Sequence, residues 1–178
     1  MKMNAKKVLA AVMAVTMCMM FAACGGTPEP VATDSGAISV TPLDMADYIT
    51  EANEGKEEIL MAKEGDGYGA GSYVFIDGSK TEGEDVTWEM RCPSYTPGKE
   101  YTLDMMLADF EAKDTYGTQT YTKTTIGEQD YLVHEANSTT TEYYTVANNH
   151  PVLVQVVGTD ELDEEAVMSD IESIQYNY

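Results

Sequence analysis

From residue 37 onward, apolar and polar positions alternate in two distinct periods, and each change of period marks a new element. Ile38 and Val40 alternate with polar neighbours and predict a short strand. Thr41-Pro42-Leu43-Asp44 then opens a helix, with Thr at the cap, Pro in the first turn and Asp near the positive end. Met45, Tyr48, Ile49 and Ala52 share one face of it, and Gly55 is the stop. Glu58–Lys63, Ser72–Asp77 and Asp85–Cys92 read as three strands. Gly65-Asp66-Gly67 and Asp77-Gly78 lie at the turns, which predicts an antiparallel meander.

A loop from Cys92 to Gly98 precedes a second helix capped by Thr102. Leu103, Met106, Leu107 and Phe110 form its i, i+3, i+4, i+7 stripe, and it stops before Gly117. Four more strands follow, at Thr118–Ile126, Asp130–Ala136, Thr140–Ala147 and Pro151–Gly158, joined by short Gly- and Asn-containing turns. Val152, Leu153, Val154, Val156 and Val157 read as buried on both faces, which places that strand centrally. Asp163, Glu164 and Glu165 open a last helix whose buried face is Val167, Ile171 and Ile174. The order βα-βββ-α-ββββ-α predicts an α+β fold: an antiparallel β-sheet of about six or seven strands packed between helices, in one domain over residues 37–178.

Ahead of that domain the pattern is different in kind. Lys2, Lys6 and Lys7 precede an apolar run from Val8 to Phe21, broken only by Thr16. That run is 14 residues long, and a spanning helix needs about 20. It reads as a signal peptide over residues 1–23. Its exit, Phe21-Ala22-Ala23-Cys24, resembles the lipobox of bacterial lipoproteins, with Phe21 where Leu is usual. The resemblance implies cleavage between Ala23 and Cys24, and a lipid anchor on the Cys24 thiol that holds the protein at the extracytoplasmic face of the cell membrane. Residues 24–36 are small and polar, with Val31 the only large apolar side chain, and read as a flexible tether.

Removal of residues 1–23 sharpens the charge. The chain of 178 residues carries 31 acidic and 10 basic side chains; the processed chain of 155 keeps all 31 acids and 7 bases, for a net charge of −24. A surface this acidic repels nucleic-acid phosphates and anionic headgroups, so nucleic acid is excluded as a partner and the membrane is reached through the lipid. Of three cysteines, Cys18 leaves with the signal and Cys24 takes the lipid. Cys92 alone remains in the domain, which excludes an internal disulfide.

A resemblance appears in the second half of the domain. Thr125-Ile126-Gly127, Tyr131, the run Thr141 to Val146, the apolar strand to Val157 and the acidic helix ending Ile171-Glu172-Ser173-Ile174 resemble PsbP/Mog1-like domains. Glu128 stands where that family's turn has a second Gly. The similarity spans roughly 102–174 and rests on hydrophobic pattern. It implies a sheet packed between helices, a non-catalytic accessory or binding role, and no assigned partner-binding residue.

The remaining chemistry is sparse. Cys92 and His134 are the candidate thiol nucleophile and base of a small hydrolase, but no local signature joins them. Cys92 reads as a small packed side chain, His134 as a sheet residue, and His150 as a solvent-facing turn residue. Residues 77–85 repeat oxygen donors, but Glu82 occupies the sixth position, where a calcium loop needs Gly; a solvated acidic hairpin is the favoured reading, with weak calcium binding the alternative. Two His and one Cys lack zinc spacing. The 12 tyrosines suit half-buried strands better than a sugar-stacking groove, and Trp88 has no companion. The reading is therefore a lipid-anchored binding or accessory domain, without metal, cofactor or catalytic residues. A surface sugar or peptide binder using exposed Tyr is the first alternative, and the Cys92–His134 hydrolase the second.

Overall fold

The computed structural model describes residues 29–41, 59–65, 71–78, 90, 92–158 and 162–178. The segment read as a signal with Cys24, the helix expected after Thr41, most of the strand expected at 85–92, and the acidic stretch beyond Gly78 lie outside the described residues.

Six strands form the main sheet: β3 (Ile59–Glu64), β4 (Ser72–Asp77), β5 (Thr122–Ile126), β6 (Gln129–Asn137), β7 (Thr140–Ala147) and β8 (His150–Val157). Their order across the sheet is β3-β4-β8-β7-β6-β5. The valine-rich β8 is central, as its pattern predicts, because only an inner strand covered on both faces can hide consecutive Val and Leu side chains. The all-antiparallel expectation is corrected at one place. β4 and β8 run parallel, with Val74 opposite Val154 and Ile76 opposite Val156, so the sheet is mixed. Every residue of β4 is buried, the condition under which parallel pairing occurs.

β5 to β8 form a meander. Asn148 and Asn149, at φ 46° and 68°, close its last hairpin in the left-handed conformation that a two-residue turn with the correct twist requires. The strand expected from Thr118 begins only at Thr122, because Asp114 holds the preceding residues as a turn: its carboxylate accepts from Gln119 N at 2.7 Å.

A second, three-stranded sheet was not foreseen. β1 (Val31–Ala32), β2 (Ile38–Val40) and β9 (Gln175–Tyr176) pair antiparallel in the order β1-β2-β9. Folded structure therefore reaches back into the stretch read as tether, and Thr33 is buried there. Helix α1 (Leu103–Lys113) is capped by Thr102, whose hydroxyl accepts from Met105 N at 3.2 Å. Helix α2 (Glu164–Ser173) is capped by Asp163 through Ala166 N.

The sheet is packed between these helices. On one face, Val74, Ile76, Tyr131, Tyr143, Val152, Val154 and Val156 meet Val167, Ile171 and Ile174 of the α2 segment, together with Ile38 and Val40 of β2. On the other, Tyr73, Phe75, Leu132, Tyr144 and Leu153 meet Met106 and Phe110 of α1, with Cys92, Tyr95 and Tyr101 from the preceding loop. The architecture is α+β.

Candidate functional site

The residues singled out for catalysis are not brought together in an accessible cleft. Cys92 is fully buried. Burial pushes its thiol up to about 11, outweighing the opposing influence of the Tyr101 hydroxyl and of Lys113. Tyr101 donates its own hydroxyl to Asp109 Oδ2 at 3.1 Å, and Ser94 Oγ donates to the other Asp109 oxygen at 2.6 Å, which ties the loop down onto α1. A thiol in this setting is protonated and sealed, the opposite of an activated nucleophile.

His134 sits half-buried on β6. Its Nδ1 is 3.0 Å from Thr120 O, and its ring lies 4.9 Å from that of Tyr121. His150 is not the solvent-facing turn residue expected from sequence. It begins β8, is half-buried, and stacks on Tyr178 at 4.0 Å with the rings 4° from parallel. Its Nδ1 is 2.9 Å from Asn148 O.

Most tyrosines among the described residues are interior. Tyr73, Tyr95, Tyr101, Tyr131, Tyr143 and Tyr144 are all buried, and among the described residues only Tyr116 is an exposed one. Tyr73, Tyr131, Tyr143 and Tyr144 lie in strands, as expected, while Tyr95 and Tyr101 are buried in the loop before α1. Among the described residues no three metal-ligating side chains converge, and no helix is long and apolar enough to cross a membrane.

What the fold does build is a pair of depressions at one end of the main sheet, where the Gly127-Glu128 and Asn148-Asn149 turns emerge together. Residues 174–178 run between them. The smaller, of about 310 Å³, is walled by Tyr95, His150, Pro151 and Tyr178, with Ser72 at its base. Tyr178 donates to Ser72 Oγ at 2.8 Å.

The larger cavity, of about 540 Å³, is enclosed by the β5–β6 turn, the end of β7, the last turn of α2 and β9. Its floor is the hydroxyl pair of Tyr131 and Tyr176, 2.8 Å apart. Burial raises the pKa of both phenols, so both are neutral at physiological pH. Ile126, Ile171 and Ile174 supply apolar wall, and Glu128, Gln129, Asn148 and Glu172 supply polar atoms. Gly127 brings the turn against α2: a Cβ there would stand 3.0 Å from Glu172 Cγ, and its φ of 59° already disfavours a side chain.

Sequence reasoning missed this cavity because its lining comes from four separate segments. The one available signal was two turns of Gly and Asn type, the first and third of the β5–β8 meander, which emerge at the same end of the sheet. No protein-family model, no curated protein and no solved structure matches this chain.

Proposed function

We propose that this protein is a bacterial lipoprotein, anchored through Cys24 at the extracytoplasmic face of the cell membrane, whose PsbP/Mog1-like domain acts by binding, as an accessory or receptor component, and not by catalysis. The anchor rests on the lysine-led apolar run and the Phe21-Ala22-Ala23-Cys24 exit. The resemblance to PsbP/Mog1-like domains is supported by a six-stranded sheet with a helix on each face.

One observation carries the non-catalytic reading. The preformed cavity at the turn end is lined by carboxylates, amides and neutral phenols, while the thiol that would serve a hydrolase is sealed beneath α1 with its pKa pushed up. Such a lining can orient a ligand but offers no activated nucleophile.

Two measurements test this. The purified chain is screened against peptide, ester and glycan substrates beside a Cys92→Ser variant. No turnover in either is expected, and Cys92-dependent turnover overturns the reading. In the native host, Cys24→Ala is expected to abolish incorporation of labelled fatty acid and to leave the precursor uncut; labelling that persists overturns the anchor assignment. Crosslinking on intact cells then identifies the partner.

A further inference from the structure

The cavity on Tyr131 and Tyr176 carries two carboxylates among its described lining residues. Glu128 and Glu172 both border it, and among the described residues neither has an ion pair or hydrogen bond. The Gln129 amide nitrogen already donates to Thr145 Oγ1 at 2.6 Å, and the Asn148 amide nitrogen donates to Tyr178 O at 3.1 Å. That leaves both carbonyl oxygens and one Asn148 N–H to face a ligand. The last turn of α2 closes one side of the cavity and has no basic residue to balance the negative end of its dipole. Among the described residues no Lys, Arg or His lines the cavity.

The floor adds one donor. Two hydroxyls carry two hydrogens, and the Tyr131–Tyr176 bond uses only one of them. The second, carried by whichever hydroxyl accepts in that pair, is left to donate into the cavity. A ligand oxygen at the floor would accept it.

A bare metal ion does not fit this lining. The cavity of about 540 Å³ is far larger than an ion, and two carboxylates with apolar wall between them form no coordination shell. An organic cation does fit. Its N–H groups meet the carboxylates and amide carbonyls, its carbon body meets Ile126, Ile171 and Ile174, and an oxygen meets the tyrosine pair. We infer that this cavity binds a small organic ammonium compound that also carries hydroxyl or carbonyl oxygen, of the amino-sugar class. The inference rests on the binding reading above and adds the ligand's chemistry to it.

The test is calorimetric titration of the full chain with D-glucosamine, N-acetyl-D-glucosamine and 1,5-diaminopentane. D-glucosamine is expected to bind saturably and more weakly as salt rises. The N-acetyl sugar, which has no cation, is expected not to bind, and the oxygen-free diamine to bind more weakly than glucosamine. Glu128 and Glu172 are exposed, so their Gln variants keep the fold. Each substitution should weaken glucosamine at least about threefold, and both together about tenfold. Glu111→Gln removes the same charge from α1, on the opposite face of the sheet, and should change nothing.

Equal losses in Glu111→Gln and Glu172→Gln would reduce the effect to the general negative field and overturn the site. So would binding of the N-acetyl sugar as tightly as glucosamine, or silence of all three compounds at millimolar concentration. Such a result leaves the binding reading intact if cell-surface crosslinking still captures a partner. Cys92-dependent turnover, by contrast, ends the binding reading without touching the titration.

Discussion

Replacement of Val154 by Asp probes the middle of the sheet. Val154 is fully buried, opposite Val74 on one side and Tyr143 on the other, and packs in the α2-side core. Loss of its apolar burial costs about 2 kcal/mol. The new carboxyl adds the cost of a polar group with no partner, for a total of about 4 kcal/mol at neutral pH. At about 3 °C per kcal/mol for a domain of this size, Tm should fall by about 12 °C.

The deficit also has a pH signature. Burial raises the carboxyl's folded pKa above its unfolded value of about 3.9, so the folded state holds the proton longer. Stability of Val154→Asp relative to wild type should therefore fall as pH rises from about 4, by up to about 1.4 kcal/mol per pH unit, until the folded pKa is passed. Val154→Ala removes packing alone and should show a deficit that does not depend on pH. Calorimetric unfolding of all three proteins across pH 4–8 separates the two terms. A Val154→Asp protein with wild-type Tm, or with the same pH profile as Val154→Ala, would refute a sealed central strand.

Three further outcomes follow from the same structure. Cys92, buried and pushed up to about 11, should resist a thiol reagent at pH 8 in the native protein and react on unfolding; peptide mapping by mass spectrometry reads the site directly. Thr102→Ala removes the α1 cap and should cost about 1 kcal/mol, lowering Tm by about 3 °C, while Thr102→Ser retains most of it. Tyr143 and Tyr178, each raised to about 12 mainly by burial, bind their protons more tightly folded than unfolded, so stability should be constant below about pH 10 and decline between about pH 10 and 12; most of the tyrosinate absorbance should appear only together with unfolding, and complete tyrosine ionisation in a protein still folded would refute the burial.

The local elements were legible because their causes are local. β7 spans Thr140–Ala147 as the turn residues around it dictate, and α1 starts where Thr102 caps it. The parallel pairing of β4 with β8 was not legible, since periodicity reports which faces of a strand are buried and not which strand lies beside it. The all-apolar centre of Ser72–Asp77 was the one clue that β4 is an inner strand. β1 and β9 are two residues each, too short to show any period, and they exist because β2 pairs with both. His150 was misplaced for a related reason: its partner, Tyr178, arrives from a distant segment. The cavity assembled from the Gly127 turn, Tyr131, α2 and Tyr176 is a tertiary object of the same kind.

The parallel contact between β4 and β8 also orders events in time. The β3–β4 hairpin and the β5–β8 meander each close through neighbouring residues, and such closures are fast. Their junction is not local, because among the described residues α1 and three strands already separate β4 from β8 in the chain. Until the halves dock, β4 and β8 each present an unpaired edge rich in Val and Ile or Leu, the kind of edge on which chains pair with one another. β4 is made first and has to wait for β8, so the docking of the two pieces is the step expected to be slow in forming this domain, with association through β4 the expected hazard during its synthesis.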